Sequence, residues 1–153
     1  MEIAILRAYP EDADQLTQIT IAAKRHWNYP EKWMQLWIPF LTISPEYISE
    51  NETWMMVVEN KPVAYYSLKQ DLGELWLDNL WILPEHIGQG IGRSLFEHAL
   101  ERSRSRGSSN LKIEADPNAQ GFYEKMGARK VDQRQHGELD GQPRILPVME
   151  INL

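Results

Sequence analysis

Three glycines alternate between a hydrophobic segment and an amphipathic helix in "LWILPEHIGQGIGRSLFEHAL", at Gly88, Gly90 and Gly92. Glycine loses more backbone freedom on folding than any other residue, so an ordinary helix start would use Asn or Ser instead. Bare backbone here suits a phosphate. Successive N–H groups converge in such a turn, and the first turn of the helix leaves its own donors unpaired. Gly88 and Gly90 would let the chain approach a pyrophosphate closely, and Gly92 would allow tight entry into the helix. Two familiar phosphate loops do not fit. A Walker loop needs Gly-Lys-Ser/Thr, whereas Arg93-Ser94 follows Gly92. A dinucleotide fingerprint needs G-x-G-x-x-G after a first parallel strand, and here the spacing is G-x-G-x-G after a strand that reads as part of a meander.

The flanking sequence frames this loop in an α/β pattern. "EIAILRAY" has strand character, and "EDADQLTQITIAAKRH" reads as a helix with Leu16, Ile19 and Ala23 on one face. "WNYPEKWMQLWIPF" predicts a turn and a short helix, with Pro30 at its first position and Pro39 limiting the run. "SPEYISEN" is left without an assignment. "TWMMVVEN", "PVAYYSL" and "GELWLDNLWIL" are rich in β-branched and aromatic residues and are joined by short turns, which argues for an antiparallel meander. A helix from about Gly90 to Arg106 follows, then the strand "NLKIEAD" and a short helix "NAQGFYEKMG" with Asn118 as its cap. "ARKVDQ" and "RILPVMEINL" form a final pair around the polar loop "RQHGELDGQP", and Pro147 makes part of the last strand an edge or a bulge. The expected whole is a single domain over 1–153 with a mixed sheet flanked by helices.

Composition narrows the function classes. A chain of 153 residues buries roughly 70% of its unfolded surface. Net charge is -6, which opposes nucleic-acid binding unless basic residues gather in one place. The only dense basic run holds Arg102, Arg104 and Arg106, read as a solvated helix end or an anion contact. Without cysteine, a disulfide scaffold, a thiol nucleophile and a thiolate metal site are excluded. His26, His86, His98 and His136 show no close ligand spacing, so no metal is expected. "MEIAILRAYPEDAD" does not read as a signal peptide and no apolar run reaches membrane-span length, so a cytoplasmic protein with no membrane contact is expected.

The loop and a second motif together resemble the GCN5-related N-acetyltransferases, the GNAT superfamily. That family's acetyl-CoA motif, Arg/Gln-x-x-Gly-x-Gly/Ala, is matched by Ile87-Gly88-Gln89-Gly90-Ile91-Gly92, with Ile87 departing from the usual Arg or Gln. Its downstream Asn and aromatic-Tyr-x-x-x-Gly segment is matched by Asn118, Phe122, Tyr123 and Gly127 in "EADPNAQGFYEKMGA". The order of elements agrees over nearly the whole chain. The resemblance implies the acyl-CoA N-acyltransferase fold, in which a central strand splays from its parallel neighbour and the pantetheine arm lies in the gap. It implies acetyl-CoA as co-substrate, with contacts from Leu80, Ile82, Leu83, Ile87, Gly88, Gln89, Gly90, Ile91, Gly92, Arg93, Asn118 and Tyr123. It also implies direct attack by a primary amine in a ternary complex.

On that resemblance the Ile82 N–H would polarise the thioester carbonyl, a contribution of about 3 kcal/mol for donors of this kind. Tyr123 would protonate the leaving thiolate, since a phenol near pKa 10 and a thiol near 8.5 are close enough to share a proton. Asp78 is the expected base or amine anchor, with Glu74 on the same side of the strand and Ile82 beside it by period two. His26, His86 and His136 stay open as alternatives. The acceptor pocket would draw on Trp27, Tyr29, Trp33 and Trp37, with His136 and Arg144. Aromatic faces beside carboxylates suit an organic cation, whereas Arg144 suits a substrate carboxylate. A small-molecule amine is the first expectation. A peptide or protein acceptor, or an idle CoA-binding module, stands as the alternative, and a homodimer is compatible with the edge strand and exposed aromatics.

Overall fold

The computed structural model describes residues 2–153. Seven strands form one sheet in the order β1-β2-β3-β4-β5-β7-β6. Their ranges are β1 Ile3–Arg7, β2 Glu52–Val58, β3 Lys61–Asp71, β4 Glu74–Ile82, β5 Asn110–Glu114, β6 Arg129–Leu139 and β7 Gln142–Asn152. The helices are α1 Ala13–Arg25, α2 Glu31–Leu41, α3 Pro45–Glu50, α4 Ile91–Ser105 and α5 Gln120–Lys125. The expected meander is present, because β2, β3 and β4 pair antiparallel in succession. β4 and β5 make the parallel pair, and they touch at the single bridge Trp76–Lys112. Beyond that bridge the two strands part.

Two apolar layers cover the sheet. On one face, Ile91, Leu95, Phe96, Ala99 and Leu100 of α4 pack on Leu75 and Leu77 of β4 and Leu111 and Ile113 of β5. Leu95 and Phe96 are fully buried, each stabilising the fold by about 1.5–3 kcal/mol. On the other face, Leu16 and Ile19 of α1 meet Met55, Val57 and Tyr65, with Ile48 of α3 closing the layer. The predicted core face of α1 is therefore the buried one.

The structure departs from the sequence reading at several points. α2 runs through Pro39 to Leu41, and Pro30 stands just before its first residue. "SPEYISEN" holds α3, whose start follows local chemistry: Ser44 accepts from the Tyr47 N–H at 3.0 Å, and Pro45 occupies the first turn. The polar stretch around residue 136 is mostly strand, because β6 and β7 form a long hairpin turning at Asp140 and Gly141. The β5 ladder ends at Glu114–Val148, with Ala115 donating to the Pro147 carbonyl at 2.9 Å, so the part of β7 before Pro147 is an edge on the β5 side, as expected. Arg102, half-buried, and Arg106, exposed, both pair with the half-buried Glu52 carboxylate, at 2.5 and 3.4 Å, so this helix end is partly solvated and its guanidinium groups are engaged within the chain.

Candidate active site

β4 carries the feature that shapes the site. Opposite β3, Leu77 pairs with Leu68 and Asn79 with Ser67, so Asp78 is an extra residue with no partner. Such a bulge reverses the side-chain alternation beyond it. Leu75 and Leu77 face α4, and past the bulge Leu80 and Ile82 join that same layer. Glu74 and Ile82 are therefore on opposite faces, against the simple period-two reading. Glu74 also lies on the closed side of the Trp76–Lys112 bridge and pairs with Lys112 at 2.8 Å. Glu74 is thus not among the residues that line the gap where the strands part.

The parting of β4 and β5 opens a cavity of about 270 Å³. It gathers Trp27, Asp78, Leu80, Ile82, Ile87, Asn118 and Tyr123, the core of the expected set, with Asn79, Trp81 and Asp116 added. Backbone direction follows from one bond. Leu83 donates its N–H to Val63 at 2.8 Å, and alternate residues of an antiparallel strand point to opposite sides. The N–H groups of Leu80 and Ile82 thus face the gap. Leu83 does not contribute main-chain groups there: its N–H serves β3 and its carbonyl accepts from His86 at 2.9 Å.

At the mouth, the chain turns through Gly88 (φ 85°) and Gly90 (φ 78°), both left-handed. Side-chain-bearing residues are strained there, and a Cβ at either glycine would meet open space. Gly90 stands immediately before α4 and offers no side-chain cap. From Gly88 through Arg93 no N–H has a recorded hydrogen-bond partner among the described residues, and the helix ladder begins with Ser94 donating to Gly90 at 3.0 Å. An anion held here would meet a full set of unused donors. Gly92 plays a different part, buried inside α4, where a Cβ would lie 3.0 Å from Ile82 and 3.4 Å from Phe122. Helix and strand approach closely because nothing projects there. Arg93 turns to Glu97 at 3.0 Å on the surface, and the Gln89 side chain folds back on Glu85 and His86.

Tyr123 is buried, with its ring 5.2 Å from that of Phe122 and 5.8 Å from that of Phe96. Burial, helped by the negative charge of Asp116, pushes its phenol well above the ordinary range. It keeps its proton at neutral pH. Asp78 is exposed, and one of its oxygens accepts from the Tyr47 hydroxyl. Tyr47 also contacts Ser67 at 2.8 Å, Asn79 donates to Ser67 at 2.9 Å, and Trp81 donates to Asn79 at 2.9 Å. Burial, then the Asp78 charge, raises the Tyr47 phenol, so Tyr47 acts as a fixed donor. The second oxygen of Asp78 has no hydrogen-bond partner among the described residues. The sequence reading missed Tyr47 because it lies on the unassigned α3; Ser44-Pro45-Glu46 was the available signal.

Asn118 does not cap its helix. The residue before α5 is Ala119, which offers no side-chain cap; Asp116 instead caps the preceding 3-10 turn Pro117–Ala119, accepting from the Asn118 N–H at 2.9 Å, while the Asn118 amide donates to Tyr29 at 2.9 Å. Asp116 also holds Lys24, Tyr29 (3.0 Å) and Arg144 (3.5 Å). Burial opposes its ionisation, yet the Lys24 charge and the surrounding donors hold its carboxyl below the ordinary range. Trp33 and Trp37 stack beside Tyr29. This group borders a second cavity between α2 and the β6–β7 hairpin, while its Asp116 and Asn118 line the first cavity together with Asp78. Of the histidines considered as bases, His26 lines the first cavity, His136 lines the second and pairs with Glu114, and His86 lies at the glycine turn.

A splayed parallel pair, a glycine turn rich in free donors and a buried tyrosine beside the gap together define an acyl-CoA transferase type of fold. Residues 13–128 match the sequence profile of the acetyltransferase (GNAT) family, and the chain belongs to that family. It is 34% identical over 99 residues to the peptidyl-lysine N-acetyltransferase YjaB of Salmonella typhimurium; the match spans 64% of this chain and 63% of that relative, under two thirds of its length. Among solved structures, a GCN5-related N-acetyltransferase from Rhodopseudomonas palustris superposes with a TM-score of 0.83 at 22% identity, covering 100% of this chain and 97% of the other. The PaiA N-acetyltransferase of Thermoplasma acidophilum, in complex with coenzyme A, gives 0.81 at 19% identity with 100% of each covered. These likenesses establish the expected fold.

Proposed function

We propose that the chain, acting as one domain over 1–153, is an acetyl-CoA-dependent N-acetyltransferase whose acceptor is a small primary amine. Family membership supports the reaction class. The observation that carries the reading is the gap between β4 and β5, with left-handed glycines and unpartnered N–H groups at its mouth. These features fit a nucleotide pyrophosphate at Gly88–Gly92 and a pantetheine arm along Leu80 and Ile82. The PaiA neighbour, which shares the fold, was solved in complex with coenzyme A.

When bound, acetyl-CoA supplies an acyl thioester, and the amine nitrogen bonds to the acyl carbon as the C–S bond breaks. The Ile82 N–H, aimed into the gap, offers a donor where negative charge develops on the carbonyl oxygen. Tyr123, protonated at neutral pH, gives its proton to the departing sulfur and recovers one from the nitrogen, directly or through water, as that nitrogen becomes an amide. The free oxygen of Asp78 attracts the acceptor ammonium and takes its proton, directly or through water. The Tyr47 hydroxyl positions that carboxylate. Trp27 and Trp81 give the amine an aromatic wall.

A thiol-release assay over a panel of amines tests the reading. Acceptor-dependent release of CoA is expected, whereas saturable CoA binding without turnover would make the chain a CoA-binding module. A second reading, a peptidyl-lysine acceptor, is favoured by the name of the Salmonella relative, and a lysine-bearing peptide in the panel separates the two. The setting we propose is cytoplasmic; among the described residues no helix is long and apolar enough to cross a membrane. For the proposed homodimer the exposed outer strand β6 supplies an open edge, and sedimentation at two concentrations checks it.

A further inference from the structure

The second cavity, about 570 Å³, is lined by Lys24, Arg144 and His136 with Trp37, Phe40 and Leu146, and no acidic side chain lines it. That is unexpected for a chain of net charge -6. Lys24 and Arg144 are 9% and 15% exposed, and both lean on one carboxylate, Asp116. Two cations against one anion leave a positive charge over. Asp116 is already saturated, since its oxygens also accept from Tyr29 and from the N–H and amide of Asn118. Its contact with Arg144 is the longest of the set, at 3.5 Å.

Arg144 commits little of its hydrogen-bonding capacity. Only Nη2 has recorded partners, Tyr29 at 3.3 Å and Asp116, and among the described residues Nε and Nη1 have none. The guanidinium lies over the rings of Tyr29 and Trp37, 5.2 and 5.1 Å from their centroids, which fixes its plane. A held planar fork with unused donors matches a carboxylate, which accepts two parallel N–H bonds. Lys24 is stacked in the same way, 4.7 Å from the Trp37 ring, and adds charge. Phe40 is 87% exposed and stands with Leu146 beside these cations, as apolar cover for whatever carries the carboxylate.

We infer that the second cavity is a carboxylate subsite, in which Arg144 and Lys24 hold the acid group of an amino-acid acceptor with an apolar body. The inference rests on the acetyltransferase reading for the word acceptor, and on the cavity alone for the binding. Asp116 links the two compartments, lining the thioester gap while holding both cations. A ligand with its acid at Arg144 can therefore direct its amine towards the gap. Simple amines lacking the acid lose that anchor. The aromatic residues Tyr29, Trp33 and Trp37 then serve to brace the two cations, and the organic-cation reading of this cluster gives way.

Isothermal titration tests this with matched pairs: L-leucine against isoamylamine, L-phenylalanine against phenethylamine and L-tryptophan against tryptamine, with and without CoA. At least one acid should bind roughly tenfold or more tightly than its decarboxylated partner, as expected for a charge-assisted fork. Arg144→Gln should erase the difference and Arg144→Lys should restore part of it, with circular dichroism confirming that both variants fold. Equal affinity within every pair, or no detectable binding by any acid, overturns the inference. The wild-type comparison alone decides this if a variant misfolds. A preserved difference without acetyl transfer would refute the acetyltransferase reading and leave the carboxylate subsite standing.

Discussion

Replacing Tyr123 by Phe removes one oxygen and separates chemistry from packing. The ring is wedged between Phe96 and Phe122 and is 6% exposed, so its contacts survive the substitution. Its hydroxyl has no recorded hydrogen-bond partner among the described residues, so the usual net worth of such a bond, about 0.5–1.5 kcal/mol, is not lost. Stability should change by less than about 1 kcal/mol, or about 2–4 °C in Tm for a domain of this size. Catalysis should suffer far more. Loss of a positioned acid lowers turnover by about 10²–10⁴-fold. Stopped-flow or steady-state thiol release gives kcat, and titration gives the Kd for acetyl-CoA, which should stay within about threefold of wild type. Since burial and the Asp116 charge raise this phenol, the wild-type kcat should show no decline from Tyr123 ionisation as pH rises through its ordinary value of 10.0. A variant with kcat within threefold of wild type would refute the proton-donor role.

Other substitutions probe the remaining parts. Gly90→Ala forces a left-handed alanine, costing about 1–2 kcal/mol, and should weaken CoA binding at least tenfold, measured by calorimetry. Gly92→Ala should instead act through Ile82 and Phe122, lowering Tm as the helix is pushed from the strand, a shift readable by calorimetric melting. Asp78→Asn should reduce kcat/KM for the amine tenfold or more while leaving CoA affinity unchanged, as separate titrations would register. Asp116→Asn strands Lys24 and Arg144 and should destabilise by about 3–5 kcal/mol in urea unfolding. Because the folded carboxyl of Asp116 lies below its ordinary 3.8, its stabilisation is present above that value and disappears as pH falls through the lower folded one. Acid unfolding of wild type, but not of the variant, should show that component.

Motifs whose chemistry is local were legible in the sequence. The glycine turn declares itself because the left-handed backbone at Gly88 and Gly90 favours glycine. The meander is equally plain, since its strands are rich in β-branched and aromatic residues and its turns are short. What escaped was set by pairing between distant segments. The bulge at Asp78 exists only opposite Ser67 and Leu68, so period-two reasoning carried Glu74 to the wrong face. β6 is exposed along nearly all its length, so no buried face imprints alternation; its first part, "ARKVDQ", read as strand, but the polar stretch from Arg134 to Leu139 read as loop. The cluster of Lys24, Asp116 and Arg144 joins α1, the end of β5 and β7, and no local pattern announces it. Arg144 was visible as a candidate anion contact, but its unfilled donors were not.

Everything at the site depends on main-chain donors receiving a pyrophosphate as the chain enters α4. Titrating 15N-labelled protein with CoA and following the amide resonances tests this directly. The account predicts saturable shifts concentrated at Gly88 through Arg93, with smaller ones at Leu80 and Ile82. Saturable shifts elsewhere with those amides unmoved, or no shifts at all, would contradict it.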